Sequence, residues 1–273
     1  MSSLNLCKNL DEAPNPQIKS RARVAAHGEV FTAEREVKAM CDLVKDETER
    51  IDSRFLEPAC GDGNFLAEIL SRKLAVAQKQ YAKSPADYEK YSIQALSSIY
   101  GIDILQDNAQ ACRERLFKIW QDAYTTICSK KLDRAQQEEA QKSARFILSR
   151  NILCGNALTL KEVDENQNDT DRPIIFSEWS FVGEKIKRRD FAFNDLVNQE
   201  YMKEEGSLFS DLGDEAEIFS PVKEFPLLHY RKIFEGESLP PASHIVAPTP
   251  PSPRGTLRFP PKTPEDTIQG GLF

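Results

Sequence analysis

The sequence predicts an α/β fold with a small, mostly parallel sheet, and three segments favour this prediction. Residues 55–66 combine an apolar step, a glycine-rich turn and a run with helical spacing. The segments 98–104 and 151–158 are short and apolar, and each follows a stretch with helical periodicity. Because strands that alternate with helices are typical of parallel sheets, we expect the three strands to share one sheet. Few strand signals follow residue 176, so the sheet should contain about four or five strands.

The composition indicates a protein with a packed core. Hydrophobic residues make up 40% of the 273 residues and charged residues 29%, which allows one sizeable domain with appendages or two small domains. The net charge of −7 argues against a basic surface over the whole molecule, so any nucleic-acid contact needs a local patch or a partner chain. Six scattered cysteines without a Cys-x-x-Cys pair indicate reduced thiols and no metal site. The polar N-terminus and the lack of a long apolar run predict a cytoplasmic protein without a membrane span.

The glycine-rich turn has the sequence Glu-Pro-Ala-Cys-Gly-Asp-Gly-Asn-Phe-Leu. Gly61 and Gly63 allow a sharp bend and a close approach of ligand to backbone, and the amides that open the next helix favour an anionic group. An ordinary strand, turn and helix is the alternative. The segment resembles the first cofactor motif of S-adenosylmethionine-dependent DNA methyltransferases of the adenine-N6 type. That resemblance implies a Rossmann-like methyltransferase sandwich with a small, incomplete sheet. It also implies a set of residues that bind S-adenosylmethionine: Glu57, Pro58, Ala59, Gly61, Gly63 and Asn64.

A second motif, Gly-Glu-Val-Phe-Thr, lies upstream at 28–32. Thr32 is placed to cap a helix that begins at Ala33. The segment also resembles the methyltransferase motif that closes over the methionine end of the cofactor, although the family often has proline where Ala33 stands. The resemblance implies that Phe31 packs beside the cofactor and that Thr32 hydrogen-bonds its carboxylate. A helix cap without any further role is the alternative.

The second strand, 98–104, is predicted between a helix at 88–98 and helical residues 107–149. Asp103 ends this strand, where an acid accepts hydrogen bonds from ribose hydroxyls in nucleotide-binding α/β folds. About 40 residues separate it from Gly63, against the usual ~20, and an inserted helix explains the excess. A loop acid without a ligand is the alternative. Ile104 is expected to contact the adenine ring.

The third strand and its turn, 151–158, resemble the third cofactor motif, in which an Asp or Asn after Gly binds the adenine amino group. Asn156 follows Gly155, and its carbonyl oxygen is a suitable acceptor. We expect residues 161–172, which are polar and acidic, to form a loop.

The resemblance ends at the next strand. Adenine-N6 methyltransferases have Asp/Asn-Pro-Pro-Tyr/Phe there, which holds a flipped-out adenine, and this sequence has no such tetrapeptide. The strand expected at 172–176 is followed instead by Ser-Glu-Trp-Ser. Glu178 as acceptor and Trp179 as stacking surface are weak candidates for the catalytic site, and ordinary packing is the alternative for Trp179.

The remaining sequence suggests contacts with other molecules. Basic residues concentrated at 185–189 either contact DNA phosphates or form a solvated loop: Lys185, Lys187, Arg188 and Arg189. The terminal Gln-Gly-Gly-Leu-Phe, 269–273, resembles the peptide that docks on the bacterial sliding clamp, with a frayed end as the alternative. We therefore divide the chain into a flexible arm (1–22), a cofactor-binding methyltransferase domain (23–180), a polar extension (181–237) and a Pro-rich disordered tail (238–273).

These observations leave two main interpretations. The first is an adenine-N6 DNA methyltransferase, or a subunit of one, in a restriction-modification or defence system. In that case a second methyltransferase or specificity subunit supplies the base-binding motif. The second is a non-catalytic cofactor-binding or scaffolding module of a DNA-modification complex. A third, weaker interpretation keeps the fold and changes the substrate to RNA or protein, because fold alone does not fix the substrate.

Overall fold

The computed structural model describes residues 23–25, 29–30, 32–195, 197 and 221–238. These residues form a mixed α/β structure. The helices are α1 (Glu34–Leu43), α2 (Lys45–Thr48), α3 (Asn64–Tyr81), α4 (Pro85–Ser97), α5 (Gln106–Cys128) and α6 (Arg134–Asn151). The strands are β1 (Phe55–Glu57), β2 (Ile99–Asp103), β3 (Ile152–Cys154), β4 (Lys161–Val163), β5 (Asp169–Pro173), β6 (Ile175–Val182), β7 (Lys185–Ala192), β8 (Lys223–Glu224) and β9 (Leu228–His229), and a 3-10 segment spans Tyr230–Ser238.

The predicted helices are confirmed, and local capping explains their limits. Ser84 accepts a hydrogen bond from the Asp87 amide at 3.4 Å, so α4 begins at Pro85, earlier than the expected residue 88. The helical stretch expected at 107–149 is two helices. Asp133 starts the second of them, because its carboxylate accepts from the Gln136 amide at 2.8 Å.

The three predicted strands do form one parallel sheet, in the order β1-β2-β3. All five residues of β2 are buried, as expected for the centre of a parallel sheet. The expectation of four or five strands is wrong for the part of the chain that the structure describes, where the parallel sheet has three.

Helices and a second sheet cover the two faces of the parallel sheet. On one face, a Cβ atom added to Gly101 would lie 2.9 Å from Leu66 of α3, so this helix packs directly against β2. On the other face, the Tyr100 ring meets Phe176 edge-on, with ring centroids 5.4 Å apart. The Tyr100 hydroxyl donates to the Ser177 carbonyl at 3.0 Å. Strand β6 therefore packs against this face of the parallel sheet.

Antiparallel strands replace two segments that were expected to be loop or extension. Residues 161–173 form the β4–β5 hairpin, so the prediction of a loop at 161–172 is wrong. Strand β6 continues to Val182 and pairs with β7 over its whole length, and β7 also pairs with β8 and β9. A domain boundary after residue 180 would cut this hairpin, so the described part of the extension 181–237 belongs to the same folded unit as the parallel sheet.

A buried acid fixes the 3-10 segment to the helices. Glu89 of α4 has no solvent exposure and accepts hydrogen bonds from the Tyr124 hydroxyl at 2.6 Å and the Tyr230 hydroxyl at 2.9 Å. Arg231 also donates to it and forms an ion pair. A buried carboxylate is tolerated when it is paired and hydrogen-bonded in this way. Glu89 thereby joins three segments that are distant in the sequence.

Candidate functional site

The glycine-rich turn follows β1 at the carboxyl end of the sheet. The Cys60 amide donates to the Ile102 carbonyl at 2.9 Å, and the Gly63 amide donates to the Cys60 carbonyl at 2.8 Å. Gly61 and Gly63 have φ values of 53° and 90°, in the left-handed region that favours glycine. A Cβ atom on Gly63 would also lie 2.7 Å from the Cys112 Sγ atom. This turn therefore needs glycine for its backbone conformation and, at Gly63, for space.

Asp103, at the end of β2, is bonded directly to this turn. The Gly61 amide donates to its Oδ2 atom at 2.9 Å, and the Leu105 amide donates to its Oδ1 atom at 2.8 Å. Burial raises the pKa of Asp103, while the hydrogen bonds that it accepts act in the opposite direction. The Asp103 carbonyl accepts from the Gly155 amide at 3.0 Å. The structure thus brings the three predicted motifs together at one edge of the sheet.

The upstream segment contacts the same edge through Glu29. The Glu29 side chain is only 7% exposed, and its Oε1 atom accepts from Asn108 at 2.8 Å and from Arg23 at 3.0 Å. The same Asn108 amide lies 3.3 Å from the Asp103 Oδ1 atom. Sequence reasoning missed roles for Arg23, Glu29 and Asn108, because Asn108 is about 80 residues from the other two and no motif links them.

Thr32 lies beside the turn but does not have the predicted capping role. Helix α1 begins at Glu34 with Ala33 at its N-cap, and no side chain caps it. Thr32 instead accepts a hydrogen bond from Asn64 through its backbone carbonyl, at 3.4 Å. The capping prediction is therefore wrong, and the predicted hydrogen bond from Thr32 to the cofactor carboxylate stays a prediction. Phe31 lies outside the described residues.

Glu57, Pro58 and Ala59 form the rim between β1 and the glycines. Pro58 and Ala59 are exposed, and Glu57 is half-buried. Burial raises the pKa of Glu57, and the Ala59 amide, 3.4 Å from Oε1, opposes this only weakly. A cation beside Glu57 would favour its ionised form. The rim therefore presents a carboxylate that is suited to a positively charged group.

Asn64, the first residue of α3, is held by Arg115 of α5. The Arg115 guanidinium donates to Asn64 Oδ1 at 2.6 Å and to Asp62 Oδ1 at 3.3 Å. Arg115 ties the turn to a helix that begins more than forty residues later in the chain. The sequence gives no sign of this contact, because Arg115 has the position of an ordinary surface residue on an amphipathic helix.

Ile104 and Asn156 have different surroundings. Ile104 follows Asp103 and is 36% exposed, as a contact for a planar ring requires. The Asn156 amide is used inside its own connection, because Oδ1 accepts from the Leu158 amide and Nδ2 donates to Asp169, both at 3.0 Å. The structure therefore gives Asn156 a turn-closing role, in which the oxygen proposed for adenine already has a backbone partner.

Glu178 and Trp179 lie at the opposite end of the sheet from Gly61. The Trp179 indole donates to the Asn151 side chain at 2.9 Å, and Asn151 donates in turn to the carbonyl of Ile99, where β2 begins. Glu178 forms ion pairs with Arg54 at 2.8 Å and with Arg189 at 2.6 Å. The structure does not bring these two candidates to the predicted cofactor site, and the alternative of ordinary packing holds for Trp179, which is buried.

The basic cluster at 185–189 is a strand, not a loop. Arg188 is buried and pairs with Asp190 at 2.8 Å. Lys187 pairs with Glu224 at 2.8 Å, and Lys185 is exposed. A strand with its basic residues largely paired is a weaker phosphate surface than a free cluster of four cations.

Comparisons with protein-family models, with curated proteins and with solved structures each found no match to this chain. Within the described ranges, no group of three or more His, Cys, Asp or Glu side chains is placed to hold a metal ion. The same residues contain no helix that is both long and apolar enough to cross a membrane.

Proposed function

We propose that this chain binds S-adenosylmethionine at the carboxyl end of the parallel sheet and is the cofactor-binding subunit of a DNA adenine-N6 methyltransferase. The hydrogen bond from the Gly61 amide to Asp103 carries this proposal. It joins a glycine turn to an acid at the end of the neighbouring parallel strand, which is the arrangement that nucleoside-binding α/β folds use. We accordingly propose a Rossmann-like methyltransferase fold, and a cytoplasmic restriction-modification or defence system remains the expected setting.

The charges around the turn suit the parts of this cofactor. Asp103 accepts three hydrogen bonds from described residues, out of about four that a carboxylate can accept, which leaves room for a ribose hydroxyl. The amides at the start of α3 favour the carboxylate of the methionine part. Glu57 favours the nearby cationic groups, an ammonium and a sulfonium. The site thus offers a group of opposite charge, or a hydrogen-bond acceptor, to each polar part of S-adenosylmethionine.

The reacting adenine needs a second set of residues. Methyl transfer from a sulfonium is an in-line displacement, which depends on positioning more than on acid-base chemistry. At the far end of the sheet Glu178 forms ion pairs and Trp179 is buried, which favours a second polypeptide as the source of base recognition. DNA contact through the basic residues of β7 or through that partner, and sliding-clamp docking by 269–273, remain predictions. Residues 269–273 lie outside the described part of the chain.

One observation favours a second candidate function, a cofactor-binding module without catalysis. The segment where the base-binding tetrapeptide was expected forms the antiparallel strand β6, which covers a face of the parallel sheet. A chain in which this segment packs against the sheet could still bind the cofactor, but it would have no residues to hold a base. Such a module would regulate or assemble a DNA-modification complex.

Calorimetry with S-adenosylmethionine tests the shared part of both proposals. Asp103→Asn should weaken binding about tenfold to a hundredfold, because it removes a charged acceptor. Asp164→Asn is the matched control, since Asp164 also accepts two backbone amides but lies in the β4–β5 turn. Absence of binding by the unmodified chain would reject the proposal, and so would equal effects of the two substitutions.

Transfer of labelled methyl groups to unmodified DNA separates the two functions. The chain should be inactive alone and active when co-expressed with the product of a neighbouring reading frame. Activity of the chain alone would contradict the division of the enzyme into two polypeptides. Binding of the cofactor without transfer in either preparation would favour the module.

A further inference from the structure

Asn108 lies at the centre of a polar network that connects the upstream segment with Asp103. It is 2% exposed and belongs to the first turn of α5. Its Nδ2 atom donates to Glu29 at 2.8 Å and lies 3.3 Å from Asp103, while its Oδ1 atom accepts from Arg23 at 3.3 Å. One amide group therefore contacts two acids and a base.

Glu29 and Asp103 share the Nδ2 atom of Asn108 as a hydrogen-bond donor. Both side chains are largely removed from water, and burial is the main cause that raises the pKa of Asp103, with a smaller contribution from the charge of Glu29. Arg23 neutralises part of this charge, because it pairs with Glu29 and, at 2.8 Å, with Asp107. Asn108 donates to both acids, so it links the orientation of the Asp103 carboxylate to that of Glu29.

We propose that Asn108 is a positioning residue that orients the Asp103 carboxylate for the ligand and couples that site to Arg23 and Glu29. The inference rests on the proposed function, since it assigns the ribose hydroxyls to Asp103. A hydrogen bond to Asp103 Oδ1 leaves Oδ2, with its single bond from Gly61, as the more accessible acceptor. A ligand that binds Asp103 Oδ2 then favours the same orientation of the Asp103 carboxylate that Glu29 and Arg23 favour through Asn108.

Coupling of this kind is reciprocal, so it has a signature at both ends. The side chain of Arg23 is engaged by Glu29, Asp107 and Asn108, so we expect trypsin to cleave the bond after Arg23 slowly. S-adenosylmethionine should slow cleavage at this bond further. Mass spectrometry distinguishes this cut from one after Arg21.

The experiment compares Asn108→Ala with Gln110→Ala in the full chain. Gln110 is an exposed amide on the same helix that contacts Glu114 and Arg113, so it is the matched control. Asn108→Ala should weaken S-adenosylmethionine binding about tenfold, speed cleavage after Arg23 and abolish protection of that bond by the ligand. Gln110→Ala should change none of the three.

A second variant covers the case in which Asn108→Ala unfolds the protein. Glu29→Gln leaves α5 unaltered and should also abolish ligand protection after Arg23, with a smaller loss of affinity, about threefold. In the double variant the affinity losses should not add, because both act through one network. Protection that survives either substitution, or additive losses, would overturn the inference while leaving cofactor binding intact. Failure of the unmodified chain to bind S-adenosylmethionine would overturn the proposed function and the coupling with it.

Discussion

The two ends of the parallel sheet use polar residues in opposite ways. At the carboxyl end, Asp103 is held by backbone amides and keeps capacity for a further donor. At the amino end, the polar atoms are used within the fold. Lys73 of α3 donates to Ser98 at 2.6 Å, and it also donates to the carbonyl of Ser53. Trp179 bonds to Asn151.

This difference separates a candidate site from a pattern that only resembles one. An acid next to an aromatic residue, as in Glu178-Trp179, has the right residue types for holding a base. In the structure the acid pairs with two arginines and the indole has a buried acceptor. Residue type therefore indicates a site only where turn geometry leaves a polar atom available to a ligand.

The largest expected effect tests the turn itself. Gly63→Ala should lower the free energy of unfolding by about 3 kcal/mol, because the left-handed conformation and a contact with Cys112 both oppose a methyl group. Gly183→Ala, in the β6–β7 turn, is the control, since its φ is also left-handed at 62° but nothing lies within 4 Å of the new Cβ atom. It should cost about 1 kcal/mol. Chemical denaturation measures both values, and equal losses would show that Cys112 moves aside.

The next effect concerns the amino end and depends on pH. Burial lowers the pKa of Lys73 to about 7, below its unfolded value near 10.4. Between these values the unfolded chain binds more protons than the folded chain, so stability should rise with pH. From pH 7.5 to 9.5 the expected slope from Lys73 is about 1 kcal/mol per pH unit.

Lys73→Met isolates this contribution. The methionine fills similar space without a titrating group, so the pH dependence of the unfolding free energy should be flatter than that of the unmodified protein. Urea denaturation at a series of pH values measures the difference between the two slopes. Parallel slopes would mean that Lys73 stays protonated in the fold throughout this range.

The smallest effect is expected at Glu178. Its two ion pairs involve partners that are 59% and 37% exposed at the side chain, so Glu178→Gln should cost less than about 1 kcal/mol. Binding of S-adenosylmethionine should be unchanged, because the residue lies at the far end of the sheet. A large loss of binding would return Glu178 to the candidate site.

Local signals in the sequence were sufficient for the three strands of the parallel sheet and the glycine-rich turn, but not for the number of strands in that sheet. Gly61, Gly63 and Asp103 are recognisable because their roles depend on residues close in sequence or on the end of a predicted strand. The capping role of Thr32 failed because Ala33 takes the N-cap position in an extended conformation, and helix α1 begins without any side-chain cap.

The antiparallel sheet was missed for a physical reason. The inward positions of β7 hold Ile186, Arg188 and Asp190, so the usual alternation of apolar and polar residues is broken. Arg188 and Asp190 can be buried because they bond to each other and to Ser177 of β6. In the sequence, Arg188 and Asp190 look like part of a solvated run of charges, because only the fold shows that they bond to each other and to Ser177. The network around Asn108 escaped notice for the same reason.

Gly101 has a mechanical consequence for the site. A side chain there would press against both Leu66 and Cys60, which lie 2.9 and 3.0 Å from the position of its Cβ atom. A single methyl group at this position would push Leu66, in the first turn of α3, and Cys60, in the glycine loop, away from β2. A substitution in the middle of the sheet, at a residue outside the glycine loop, would therefore displace the loop and the start of α3 together.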